Sequence, residues 1–283
     1  RIKPFYIKIN GTNNESYGLG NKSSKEIIKK TKNEHIDIIP VVDEKKKVKK
    51  IILAKDLDTI SLNNKLKNTS ILIMAGGRGV RLKPFTNFFP KPLSPVGDKT
   101  AVETIIDNFS KYGAKKIFLS LNYKKNLIKT YLKENKISNI NYLEEKKELG
   151  TAGALSLLKG KIINDFFVIN CDTLVSVNLE KFYDFHKKNN FKISLVAASK
   201  KFILSYGSCK IKSNGELKNI EEKPSINYLA NIGLYLFKPE VIKNLKKNEP
   251  LEMDNLIKKV KKRGGKVGVF PINEDSWQDI GQK

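Results

Sequence analysis

Between Ile71 and Leu82 the chain reads Ile-Leu-Ile-Met-Ala-Gly-Gly-Arg-Gly-Val-Arg-Leu. A short apolar run that ends in glycines fits a strand buried on both faces. Gly76, Gly77 and Gly79 carry no side chain, so backbone N–H groups there can approach a phosphate closely. With Ala75 at the end of the strand, this loop is the candidate nucleotide-binding element. Two familiar phosphate loops do not fit. A P-loop ends in Gly-Lys-Ser/Thr, where this chain has Val80-Arg81-Leu82. A dinucleotide fingerprint counted from Gly77 and Gly79 needs glycine or alanine at position 82, which is Leu82.

The same alternation continues downstream. Val102, Ile105, Ile106, Phe109 and Tyr112 fall at helical spacing and are followed by a strand over 116–120. Further strands are expected over 166–170, 193–197 and 267–270, with helices near 179–188 and 254–262. This predicts a Rossmann-like α/β domain over 69–283, with a mixed, mainly parallel sheet sandwiched by helices. Ligands belong at the carboxyl ends of the strands in such a sheet. Residues 1–68 read differently. A helical pattern over 25–30 precedes an apolar run, Ile36 to Asp43, and a second strand over 48–53. With Lys55-Asp56-Leu57 after them, these resemble a partial CBS module, a small α+β regulatory unit, which implies an adenosyl ligand. Residues 63–68 are polar enough to be a linker.

Composition sets limits. A 283-residue chain with 40% hydrophobic residues can build one large core plus an appendage. Its net charge of +25 invites a nucleic-acid reading, but only four of its 54 cations are arginine and the lysines are spread along the whole chain. Nucleic-acid readers lean on the bidentate guanidinium. The charge is therefore read as a compositional bias that favours anionic ligands, with no nucleic-acid partner. No run approaches the roughly 18 apolar residues of a membrane helix, and no signal peptide opens the chain, so a cytoplasmic protein is expected. Cys171 and Cys209 are too few for a disulfide framework. His35 and His186 lack a partner at ligand spacing and are read as surface or helix-end residues.

After the glycine loop come Pro84, Phe85-Thr86, Phe89-Pro90-Lys91-Pro92-Leu93 and Pro95-Val96. Together with the loop, this pattern resembles the sugar-1-phosphate nucleotidyltransferases, or NDP-sugar pyrophosphorylases, over residues 70–283. The resemblance implies the nucleotide-diphospho-sugar transferase fold and Mg²⁺ as cofactor. It also implies that Arg81 and Lys91 hold the triphosphate and stabilise departing pyrophosphate. Asp172, after Asn170-Cys171, and Asp279, after Trp277-Gln278, match the metal carboxylates. Glu222, Lys223 and Asn231 match the sugar-phosphate contacts, and Tyr206-Gly207 the segment facing the hexose. Val80 stands where the family usually has Thr, and Cys171 where it usually has Gly.

Glu145 lies five residues before Gly150-Thr151-Ala152-Gly153, which matches the base-binding segment. Uridylyl and thymidylyl members typically carry Gln there. An ionised carboxylate only accepts hydrogen bonds, and guanine offers N1–H and N2–H₂ on one edge. Glu145, Gly150 and Thr151 therefore join the nucleotide site, with GTP favoured. The expectation is transfer of a nucleotidyl group from an NTP to a hexose 1-phosphate by a homo-oligomeric enzyme. The alternatives are a uridylyl-, thymidylyl- or cytidylyltransferase on the same scaffold, and a non-catalytic nucleotide sensor.

Overall fold

The computed structural model describes residues 7–8, 36–43, 45–53, 66–114 and 116–281. In the N-terminal part, β1 (Ile7–Lys8) runs parallel to β2 (Ile38–Val42), which pairs antiparallel with β3 (Val48–Leu53). Both expected strands of this region are present. The helical pattern over 25–30 and the segment Lys55-Asp56-Leu57 lie outside the described residues. Leu66, in the stretch expected to be a polar linker, is completely buried with Ile71 and Phe109. Its carbonyl accepts hydrogen bonds from the Thr69 N–H at 2.9 Å and hydroxyl at 2.6 Å, closing the turn into the next strand.

The remaining strands are β4 (Ser70–Met74), β5 (Pro95–Val96), β6 (Lys99–Thr100), β7 (Lys116–Leu121), β8 (Ile140–Glu144), β9 (Phe166–Asn170), β10 (Thr173–Val175), β11 (Ile193–Ile203), β12 (Ser208–Ile211), β13 (Leu217–Glu221), β14 (Ser225–Phe237), β15 (Val267–Ile272) and β16 (Trp277–Asp279). Seven of them form one sheet in the order β15-β11-β14-β9-β4-β7-β8. β4 pairs in parallel with both β7 and β9, and β7 with β8. β14 is antiparallel to β11 and β9, which makes the sheet mixed but mainly parallel, as expected. The long helices are α1 (Ala101–Lys111), α2 (Lys125–Glu134), α3 (Leu179–Lys188) and α4 (Met253–Lys262).

Period-two alternation divides the core between the two faces of the sheet. Ile71, Ile73, Leu119 and Phe167 point to one face, under Val102, Ile105 and Phe109 of α1 and Phe182 of α3. Leu72, Phe118, Phe166 and Phe237 point to the other, under Leu155, Leu158 and the α4 residues Met253 and Leu256. Phe167 sits edge-on to Phe109, with ring centroids 5.2 Å apart. Beyond the covered part of the sheet, β11 and β14 continue as a two-stranded ribbon toward the β12–β13 hairpin, where Phe202, Ile203, Ile226 and Tyr228 stay exposed. Among the described residues, no helix is long and apolar enough to cross a membrane.

His186 does lie in the last turn of α3, but it is completely buried rather than at the surface. Its Nδ1 lies 2.8 Å from the Ser194 hydroxyl, and Nε2 is 3.8 Å from Asp165. Burial pulls the imidazole down to about 4 from its usual 6.5, with Asp165 opposing. Between those values the unfolded chain binds the extra proton, so this group's contribution is intact above about 6.5 and is lost as the pH falls toward 4. Urea midpoints of the parent should therefore fall more steeply over that interval than those of His186→Gln. Parallel profiles would show that His186 is not held neutral by the fold.

Candidate active site

Parallel pairing places the carboxyl ends of β9, β4, β7 and β8 on one rim. Met74 at the end of β4 is in register with Ser120 of β7 and with Asn170 of β9. The chain leaves β4 there and enters the glycine loop. Ala75 is buried, and its N–H donates to the Ser120 carbonyl at 3.1 Å. Gly79 has a left-handed φ of 63° and starts the helical turn Val80–Leu82. A Cβ at Gly79 would stand 2.9 Å from Thr86 Cγ2, while the Thr86 hydroxyl donates to the Gly79 carbonyl at 3.0 Å. Gly77 is exposed and open.

At one end of the rim, Glu145 follows β8 and is 8% exposed. Its carboxylate lies against Gly76, where an added Cβ would be 2.6 Å from Oε1. The Leu149 N–H donates to Oε2 at 3.3 Å. Burial pushes the carboxyl above its ordinary value, and the Leu149 N–H pulls against that. Sequence alone gave no sign that the glycine loop and Glu145 touch. Gly150 has φ +69° and packs on Leu251 and Glu252. The Thr151 hydroxyl donates to Glu252 Oε2 at 2.7 Å and accepts from the Met253 N–H at 2.8 Å. Thr151 thus ties the loop to the start of α4, through partners about a hundred residues away that no local pattern announces.

In the middle of the rim, Lys91 and Asp172 form an ion pair with side chains 10% and 13% exposed. The β10–β16 pairing aligns Thr173 with Asp279 and so brings Asp279 beside Asp172. Asp279 Oδ1 accepts the Gly281 N–H at 2.7 Å, and Gly281 packs directly on Lys91 and Asp172. Nothing in the local sequence marks Gly281, which this packing brings onto the ion pair. Asp172 Oδ1 and Asp279 Oδ2 accept no hydrogen bond from the described residues. One uncommitted oxygen on each of two neighbouring carboxylates suits Mg²⁺, which takes one or two carboxylates and completes its shell with phosphate and water. No cluster of three or more potential metal ligands occurs among the described residues, and this ion does not require one. Cys171 is buried, which pushes its thiol up to about 12 and keeps it protonated.

At the other end, Asn231 opens the covered part of β14. Its Nδ2 donates to the Tyr235 hydroxyl at 2.8 Å, and its Oδ1 accepts the Gly233 N–H at 3.2 Å. Gly233, at φ +81°, lies against Asn170, and the Thr173 hydroxyl donates to the Ile232 carbonyl at 2.7 Å. Asn231 therefore sits beside the end of β9, two residues before Asp172. Glu222 and Lys223 lie farther out, between β13 and β14, and are exposed. Lys223 has a left-handed φ of 46°. A Cβ at Gly207 would be 3.0 Å from Glu222 Oε2, so these two expected sugar residues face each other. Arg81 is exposed and pairs with no acid among the described residues, whereas Arg78 binds Glu148 at 2.5 Å. Among the described residues, no hydrogen bond or ion pair links Arg81, Glu222 or Lys223 to the buried part of the site.

A doubly covered sheet whose strand ends carry a glycine loop and a carboxylate–lysine centre defines a nucleotide-handling transferase. Comparison with known proteins agrees: the family model described as nucleotidyl transferase matches residues 70–283, and the chain belongs to that family. It is 30% identical to the D-glycero-alpha-D-manno-heptose 1-phosphate guanylyltransferase of Campylobacter jejuni, over 74% of this chain and 93% of that protein. It is also 30% identical to mannose-1-phosphate guanylyltransferase 1 of Arabidopsis thaliana, over 75% of this chain but only 61% of that longer protein. Among solved structures, HddC from Yersinia pseudotuberculosis superposes with a TM-score of 0.60 at 26% identity, covering 76% of this chain and 94% of that one.

The Gly76–Glu145 contact offers a direct test of whether this end of the rim binds nucleotide. Gly76→Ala should weaken nucleotide binding by roughly tenfold or more, a loss of about 1.4 kcal/mol, while leaving the melting temperature nearly unchanged. Unchanged affinity by calorimetric titration would remove this contact from the site.

Proposed function

We propose that the protein transfers a guanylyl group from GTP to the phosphate of a hexose or heptose 1-phosphate, releasing pyrophosphate and giving a GDP-sugar. One observation carries this reading: the candidate groups follow one another along the rim in the order the substrates require. Glu145 lies at the base end, the glycine loop and Lys91 come next, then Asp172 with Asp279, and Asn231 stands on the sugar side. The guanylyltransferase names of the relatives support the choice of GTP, as does a buried carboxylate at the base position.

In the step itself, an oxygen of the sugar phosphate forms a bond to the α-phosphorus of GTP. The bond from the α-phosphorus to the bridging oxygen breaks in line, and the electron pair leaves with pyrophosphate. All the reactants are anions, so positioning and charge neutralisation supply most of the catalysis. Arg81, exposed beside the glycine loop, and Lys91 hold the triphosphate and take up charge on the departing pyrophosphate. Lys223 pairs with the sugar phosphate, and Glu222, Gly207 and Asn231 contact the sugar. Mg²⁺ held by Asp172 and Asp279 would neutralise phosphate oxygens. The same proposal keeps the N-terminal strands as part of a CBS-like unit for an adenosyl ligand, and the working enzyme as a cytoplasmic homo-oligomer.

The Glu145 carboxylate should make GTP the preferred donor over ATP, CTP, UTP and dTTP. A polar site rejects a wrong base strongly because its own buried group is left unpaired. Glu145→Gln should lower kcat/KM for GTP more than for UTP, since the amide turns an N–H₂ toward one guanine donor. A parent that prefers UTP or dTTP, or a substitution that leaves the ratio unchanged, would refute the guanine assignment. Lys91→Ala and Arg81→Ala should each reduce turnover by at least about 100-fold. Near-normal rates in either would move the triphosphate elsewhere.

A further inference from the structure

Lys91 and Asp172 are 81 positions apart in sequence, yet their side chains meet as an enclosed pair. Every other pairing of a lysine or arginine with a carboxylate among the described residues has at least one exposed partner. The chain's end segment lies over this pair. The Ile280 N–H donates to the Asp172 carbonyl at 3.1 Å, and a Cβ on Gly281 would collide with Lys91 Nζ and stand 2.8 Å from Asp172 Oδ2. Asp279 is held alongside by the strand register. Among the described residues the ammonium pairs with Asp172 alone and neutralises that carboxylate. Without it, Asp172 and Asp279 would both carry uncompensated charge, about −2 together, which a divalent cation neutralises.

A lysine ammonium and a divalent cation compete for the same carboxylate. In low dielectric their mutual repulsion is strong, so an ammonium on Oδ2 of Asp172 opposes a divalent cation at Oδ1 of the same carboxylate. Among the described residues Lys91 has no other acidic partner, so a metal arriving alone would leave the ammonium enclosed and unpaired. Such a stranded charge is costly. A triphosphate changes the balance, since it brings several negative charges to which Lys91 can move.

We propose that, in the nucleotide-free protein, Lys91 occupies the cation position at Asp172, so that the divalent metal enters with the triphosphate rather than before it. This rests on the reading of Asp172 and Asp279 as metal carboxylates given above. Lys91 then has two sequential tasks: it neutralises Asp172 while the site is empty, and it moves to phosphate when the nucleotide arrives. The small Gly281 backbone is what allows the closed pair to form beneath the chain's end segment.

The test uses Mn²⁺ alone, with no nucleotide or sugar, and counts free Mn²⁺ by its paramagnetic resonance signal. The parent should bind Mn²⁺ weakly. Lys91→Met and Lys91→Gln should each bind it at least about tenfold more tightly, and adding Asp172→Asn to either should abolish the gain. Thermal melts give a second readout. Both lysine variants should melt lower than the parent without metal and recover with Mn²⁺, whereas the parent should barely respond. If either variant is too unstable to titrate, recovery of its folded signal on adding Mn²⁺ reads the same competition. The fluorescence of Trp277, the chain's single tryptophan, on the strand that carries Asp279, reports on the site directly. Equal Mn²⁺ affinity in parent and variants, tight binding by the parent alone, or a gain that survives Asp172→Asn would each overturn the proposal. These outcomes are independent of the guanylyl reading. A protein that shows the competition but does not turn over GTP overturns only that reading, and an active enzyme without the competition overturns only this one.

Discussion

The arrangement of the site depends on β4 being hydrogen-bonded in parallel to a neighbour on each side. That double pairing forces β9, β4 and β7 to end at one level, and β8 follows through its own parallel pairing with β7. Three chain segments far apart in sequence are delivered to one rim by backbone hydrogen bonds alone: the glycine loop, the Asp172 turn and the Glu145 turn. The faces of the sheet are closed by α1 and α3 on one side and α4 on the other. Ligands are left the rim, where the first uncovered backbone groups lie.

Electrostatics then divides the labour along that rim. The β8 end holds a single enclosed carboxylate, and the centre holds a carboxylate–ammonium pair with a second aspartate beside it. The outer arm carries its charges in solvent, on a ribbon with neither face covered. Enclosed groups act strongly because little solvent screens them, and they need a partner for the same reason. Among the described residues, exposed Arg81 and Lys223 have no acidic partner to give up before meeting an anion. The high net charge adds a general attraction for phosphate-bearing substrates, but the lysines that produce it are mostly solvated and scattered.

Much of this was legible in the residues. The apolar runs gave β4, β7, β9 and β15 and the start of β11 to within a residue or two, because burial on both faces leaves a continuous apolar signature, whereas β8 was not anticipated. The ordered string from Gly76 to Pro95 announced the family. Less legible were β14 and the outward-running ribbon: the covered half, Ile232 to Phe237, is a continuous apolar run, but the exposed half has no covering helix, and its pairing with β11 is fixed only by the fold. His186 looked like an ordinary helix-end residue, because its partners Ser194 and Asp165 lie on other elements. Leu66 looked like part of a polar linker, because one leucine among polar neighbours has no periodicity to reveal a core position.

The sequence by itself determined the class of chemistry and the residues available for it, since glycine, lysine and aspartate at these spacings carry their properties wherever the chain puts them. The tertiary structure decided the pairings. It set Glu145 against Gly76, tied Thr151 to Glu252, and closed Lys91 onto Asp172 under Gly281. Contacts of that kind depend on sheet register and on helices returning across the chain, and they fix which charges are enclosed together. Only the folded chain could settle this, because the strength of a charge depends on its surroundings and not on its place in the sequence.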